Sequence, residues 1–141
     1  MLANEIAHSD ALAFMVAGKC TFVILTDKPK HPSLDHITLS ITRKPESLPW
    51  DPLNVWYGNE RVAKVEIIGQ GFVVRYLPKN WLTDKHRIAA QSVEFVIRRL
   101  QEKTLPEKVH ILHTGLCGAC GRTLTDPESI RIGLGPICKA K

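Results

Sequence analysis

The sequence predicts an α+β fold, a mainly antiparallel sheet of about five strands covered on one face by one long helix. Three observations carry this. Between Cys20 and Leu77, apolar residues come in short runs, several of them alternating with polar ones at the two-residue period of strands. From Asp84 to Lys103 the period becomes helical, with Ile88, Ala89, Val93, Val96, Ile97 and Leu100 on one stripe. The stretch from His113 to Cys138 follows neither period and gathers three cysteines and a histidine among glycines.

Residues 4–17 read as a short amphipathic helix with Ile6, Ala7, Leu12, Ala13, Phe14 and Val16 apolar, ended by Gly18. Ser9-Asp10 offers a cap for a shorter version from 11 to 17. Cys20 to Thr26 is apolar on both faces, the pattern of a central or covered strand. The loop 27–35 is rich in proline and charge and reads as solvated chain, despite His31, Asp35 and His36. From Asp35 to Arg43, Ile37, Leu39 and Ile41 alternate with Thr38, Ser40 and Thr42, a strand with one polar face. The connection Lys44 to Pro52 carries Trp50, expected to cover the edge of the core.

Leu53 to Leu77 reads as a three-strand meander, 53–57, 61–68 and 72–77, joined by turns at Gly58-Asn59 and Gly69-Gln70-Gly71. Ala63, Val65 and Ile67 point inward, Lys64 and Glu66 outward. With Thr38, Thr42, Arg61 and Arg75, the outer face becomes polar and mildly basic, able to follow a nucleic-acid backbone if Trp56 or Tyr57 supplies stacking. Thr83 or Asp84 caps the long helix. Thr104 to Lys108 forms a linker, and Val109 to Leu112 a last strand. The expected division is an α+β domain over 1–108 and a small module over 109–141 packed on it.

The module's chemistry points to metal. Two thiolates at Cys-x-x-Cys spacing, Cys117 and Cys120, grip one ion from a single tight turn, and Cys138 follows a second bend at Gly133-Leu-Gly135-Pro136. Zinc takes four ligands. His113, four residues before Cys117, is the expected fourth; His110 is the runner-up and Cys20 a distant third. A redox Cys-x-x-Cys needs a βαβ setting that is missing here, and a disulfide needs an oxidising compartment. Three sulfurs and a nitrogen make a closed, structural Zn²⁺ shell. The zinc deaminases instead place His-x-Glu upstream, and none of the six histidines is followed two residues later by Glu. Thr125-Asp-Pro-Glu128 reads as a capping box opening a short helix that Gly133 stops, with Ile130, Ile132 and Leu134 packing the module down.

Cys117-Gly-Ala-Cys120-Gly121-Arg122, Leu124-Thr-Asp-Pro127-Glu-Ser129-Ile and Gly133-Leu-Gly135-Pro136-Ile-Cys138 together resemble a domain-of-unknown-function family found in phage, plasmid and actinobacterial proteins, sometimes beside helicase-like domains. A histidine tends to stand in that family where His113 stands here. The resemblance covers the last thirty residues or so and implies a zinc module and a mobile-element setting. It implies no activity.

The net charge is +5, and most of the excess lies after residue 80. A basic half suggests a polyanion partner. The first functional expectation is therefore a nucleic-acid-binding accessory protein of a phage or mobile element. Its contacts would be Arg98, Arg99, Lys103, Arg122, Arg131 and Lys139, with Lys141 beyond them. The alternative is a protein-interaction module that docks on a host or phage complex, for example to block a defence system. No phosphate loop and no Ser-His-Asp spacing suggests an enzyme, and no small-molecule cofactor is expected. No run approaches the ~20 apolar residues of a membrane span, and the start lacks a basic signal region, so a cytoplasmic protein is expected.

Overall fold

The computed structural model describes residues 2–27 and 36–139. The loop residues His31 and Asp35, the side chain of Lys139 and the whole of Lys141 lie outside the described residues. The elements in chain order are β1 (Glu5–Ile6), α1 (His8–Met15), β2 (Lys19–Thr26), β3 (His36–Thr42), β4 (Leu53–Tyr57), β5 (Glu60–Ile68), β6 (Gly71–Tyr76), α2 (Asp84–Glu102), β7 (Val109–His113), α3 (Pro127–Ile132) and α4 (Pro136–Lys139). A 3-10 turn at Pro78–Asn80 precedes α2.

The α+β class holds, with seven strands where about five were expected. They form one sheet in the order β1-β7-β2-β3-β4-β5-β6. Every pairing is antiparallel. The two beyond that count are β7, expected in the C-terminal module, and β1. Its two residues pair with Leu112 and Ile111, and the His113 N–H donates to the Asn4 carbonyl at 3.0 Å. The helix expected from residue 4 therefore begins only at His8. Two residues are too few to display a period, so β1 was hidden inside an apparently helical pattern.

β7 is an interior strand, between β1 and β2. The expected boundary at 108/109 thus falls ahead of a strand that the sheet itself needs. The cysteine loops begin after His113.

Both helices lie on one face. The Cys20 thiol donates to the Met15 carbonyl of α1 at 3.2 Å, and Gln101 of α2 clamps Phe72, accepting from its N–H at 2.7 Å and donating to its carbonyl at 2.9 Å. Between helices and sheet sits the core, including Phe14, Phe22, Leu39, Ile41, Val55, Val65, Val93, Ile97 and Ile111. The α2 stripe is buried as its spacing predicts, with Ala90 added and Ile88 only partly covered. Burying such stripes is the main favourable contribution, about 25 cal/mol for each Å² of apolar surface removed from water.

The opposite face carries polar residues, as expected. The Thr21 and Ser40 hydroxyls meet at 3.0 Å, and Trp56 Nε1 donates to the Thr42 hydroxyl at 2.9 Å. Glu66 lies 3.4 Å from both Lys64 and Arg75, which offsets their charge. Trp50 does not cover the core: it is 66% exposed. Among the described residues no helix is long and apolar enough to cross a membrane.

Candidate metal centre

The cysteine loops are shaped by a small set of backbone hydrogen bonds. Leu116 and Thr123 form an antiparallel bridge around the Cys-x-x-Cys turn. Inside it the Cys117 N–H donates to the Arg122 carbonyl, and the Gly121 N–H to the Cys117 carbonyl, each at 2.8 Å. The Lys19 N–H donates to the Gly118 carbonyl at 2.7 Å, fastening this turn to the start of β2. The Gly118 N–H reaches the Gly133 carbonyl at 2.9 Å, fastening it to the end of α3.

Phe14 fixes how close these pieces come. A Cβ on Gly118 would lie 2.7 Å from Phe14 Cδ1, and one on Gly133 only 2.5 Å from the same atom. Gly133 also adopts a φ of 76°, the left-handed conformation that ends a helix at low cost for glycine. Glycine at both positions lets the ring seat directly on the loops.

α3 starts one residue later than the capping-box reading places it. Pro127 occupies the first helical position, which makes Asp126 the N-cap. The Asp126 carboxylate accepts from the Ser129 N–H at 3.0 Å and from its hydroxyl at 3.2 Å. Glu128 turns outward and pairs with Arg131 at 2.7 Å.

The ligand atoms of Cys117, Cys120 and Cys138 all lie within 4.8 Å of one another, close enough to hold a metal ion. Cys117 is buried, Cys138 half-buried and Cys120 exposed. The Cys117 sulfur accepts from the Gly135 N–H at 3.3 Å and the Ala119 N–H at 3.4 Å. Burial opposes ionisation of Cys117, but the backbone N–H groups around it prevail and lower its pKa to about 7. Cys138 moves the other way, to about 11, through burial, the hydrogen bonds its protonated thiol donates to Cys120 and Cys117, and their negative charge. Three thiolates this close repel one another, and a cation between them removes that cost. The donor set fits a thiophilic ion.

His113 does not join them. It is buried (3% exposed) at the end of β7, with its ring 6.3 Å from that of Phe14. Its Nδ1 accepts from the Gly115 N–H at 2.9 Å, which places the proton on Nε2, and Nε2 donates to the Ile130 carbonyl at 2.6 Å. Both nitrogens hydrogen-bond to backbone, so the expected fourth ligand is not turned toward the sulfurs in this structure. His110 is held as well, by Glu5 at 3.1 Å and Asp27 at 2.9 Å. Cys20 is a core residue of β2 whose thiol burial pushes up to about 12. Sequence reasoning missed the Glu5–His110–Asp27 cluster because its members are 105 and 83 residues apart.

Residues 109–141 match a family of unknown function, DUF6011. The matched segment runs from the first residue of β7 through all three clustered cysteines. No curated protein and no solved structure matches the chain. DUF6011 therefore supplies a module and no activity.

Among the described residues, several of the expected basic contacts already have partners. Arg98 on α2 is paired with Glu94 at 3.1 Å and Glu102 at 3.7 Å. Arg131 on α3 is paired with Glu128 and, at 3.1 Å, with Asp10. Arg99 lies over the Phe95 ring and donates to Thr104. Lys103 lines a groove with His8 and Leu12 of α1. Arg122, two residues after Cys120, is exposed. Apolar side chains are exposed there too: Leu116 and Ile137, each directly preceding a clustered cysteine, are 43% and 69% exposed.

Proposed function

We propose that the chain is a small Zn²⁺-binding accessory protein of a phage or mobile element that acts by docking on another protein, with the DUF6011 loops as the contact surface. The observation that carries this reading is the exposure of Leu116 and Ile137 beside the cysteine cluster. Exposed apolar side chains fixed on a rigid support are what a protein partner buries. Zn²⁺ suits the site because it binds thiolates at tetrahedral centres without redox chemistry. In this role the ion orders loops that have little core of their own.

Nucleic acid is the second reading. The overall charge favours it, as does Lys19, whose Nζ lies 3.6 Å from where a Gly121 side chain would begin, beside exposed Arg122. Against it, Arg98 and Arg131 already have carboxylate partners that a phosphate would have to displace. Binding to labelled single- and double-stranded DNA and RNA at two salt concentrations separates the two. The docking reading expects no appreciable binding at low salt. Micromolar or tighter binding that weakens steeply with salt would favour nucleic acid. In the same experiment series, a protein captured by the wild type should be lost by a metal-loaded L116D/I137D variant.

A further inference from the structure

We propose that the ion held by Cys117, Cys120 and Cys138 takes its fourth ligand from outside the described residues, as an exchangeable thiolate or imidazole from solution or a partner surface. This rests on the metal reading of the site and not on the docking reading.

Among the described residues, the three cysteines are the complete set of ligand atoms lying within 4.8 Å of one another. The candidates weighed for the fourth position, His113, His110 and Cys20, are all engaged elsewhere. Turning His113 toward the sulfurs would break bonds of 2.6 and 2.9 Å and strand the Ile130 carbonyl and the Gly115 N–H in a part-buried place. Leaving such groups unpaired costs about 1–3 kcal/mol each. His110 is gripped by two carboxylates, and Cys20 donates into α1.

The cluster also has a direction. Its inner side is occupied by backbone, because the N–H groups of Ala119 and Gly135 point at the Cys117 sulfur. Its outer side carries exposed Cys120 and half-buried Cys138. Zinc and cobalt(II) with three thiolates take one more ligand. Here that ligand approaches from the solvent side, past Leu116 and Ile137. Soft or borderline donors match the thiolate set, which selects a cysteine or histidine side chain over a carboxylate.

The test uses the full chain loaded with Co²⁺, whose visible spectrum reports ligand identity. Imidazole, and separately a small monothiol, are titrated into the wild type and into His113→Gln and His113→Ala. The expected result is a saturable, one-equivalent shift of the ligand-field bands with each ligand. The starting spectra of the two variants should be unchanged from wild type. The wild-type titration stands by itself if either variant fails to fold. A wild-type spectrum that does not respond would overturn the proposal, since the chain would then be filling the position itself. A starting spectrum altered by His113→Gln in a folded protein would also overturn it, by making His113 the ligand. Failure to take up Co²⁺ at all would overturn the metal reading and this inference with it, leaving the docking surface to its own test.

Discussion

His113 donates its Nε2 proton to the carbonyl of Ile130 at 2.6 Å, across 17 residues of chain. One residue ends a sheet strand and the other lies in the short helix α3, so this bond closes the cysteine loops against the sheet. The Gly115 N–H reaching Nδ1 fixes the tautomer that makes it possible. The histidine that sequence spacing marks as a ligand thus holds the module through its hydrogen bonds.

Replacing it should separate these roles. His113→Ala should lower stability by about 2–4 kcal/mol, from two part-buried backbone groups left unpaired and lost contact with Phe14. Metal content should stay at the wild-type stoichiometry. Chemical denaturation together with metal analysis of the purified variant checks both, and loss of metal from a folded variant would return His113 to the ligand set.

Phe14 gives a second prediction. Its ring meets Gly118, Gly133 and His113, three separate parts of the module. Phe14→Ala should cost about 3–5 kcal/mol, the usual range for deleting a buried aromatic ring. The loss should be uneven. Hydrogen exchange should accelerate most in residues 114–138, against which the ring packs, and least in β6 at the opposite edge of the sheet.

How much of this was legible beforehand follows from distance along the chain. The strands from β2 to β6, the α2 stripe and the Cys-x-x-Cys turn are encoded within a few residues, and the pattern of side chains shows them directly. β1 is a strand only because β7 lies beside it, and that is a tertiary fact. His113 shows the same limit. Its spacing to Cys117 suits a ligand, while the carbonyl that captures it belongs to a helix 17 residues on. Pro127 did carry a readable signal, since proline at the first helical position makes Asp126 the cap, but the Thr125–Glu128 spacing matched a second rule equally well. Arg98 and Arg131 looked free in the sequence. The i,i+4 partner Glu94 and the i,i+3 partner Glu128 were visible there, but Asp10 was not.

Removing one sulfur tests the cluster. Cys120→Ser should reduce bound metal well below the wild-type level and loosen residues 114–138, because the loops rely on the ion for order. The sheet, whose last strand β7 ends before Cys117, should keep its circular dichroism signature. Chelation of the wild type should reproduce the variant. A Cys120→Ser protein with full metal content and unchanged loop exchange would remove Cys120 from the site.

The pH dependence should come from the far edge of the sheet. His110 bridges Glu5 of β1 and Asp27 at the end of β2, at 3.1 and 2.9 Å. The hydrogen bond to Asp27, then that to Glu5, raise its pKa above 6.5 against the effect of burial. For Glu5, burial works against the charge, but the Leu2 N–H and His110 outweigh it and lower the pKa below 4.5. A raised histidine stabilises the fold fully below its ordinary value, and that contribution fades as pH rises through the folded value. A lowered carboxylate contributes above its ordinary value and loses this as pH falls through the folded one. The two act together between 4.5 and 6.5. Wild type should therefore exceed His110→Gln in stability by at most about 1 kcal/mol near pH 5.5, as expected for a partly exposed pair, and the gap should close near pH 9. Urea melts of both proteins, metal-loaded so that the cysteine loops cancel, measure the gap directly. A gap that widens with pH would mean that neutral His110 is the form the sheet prefers.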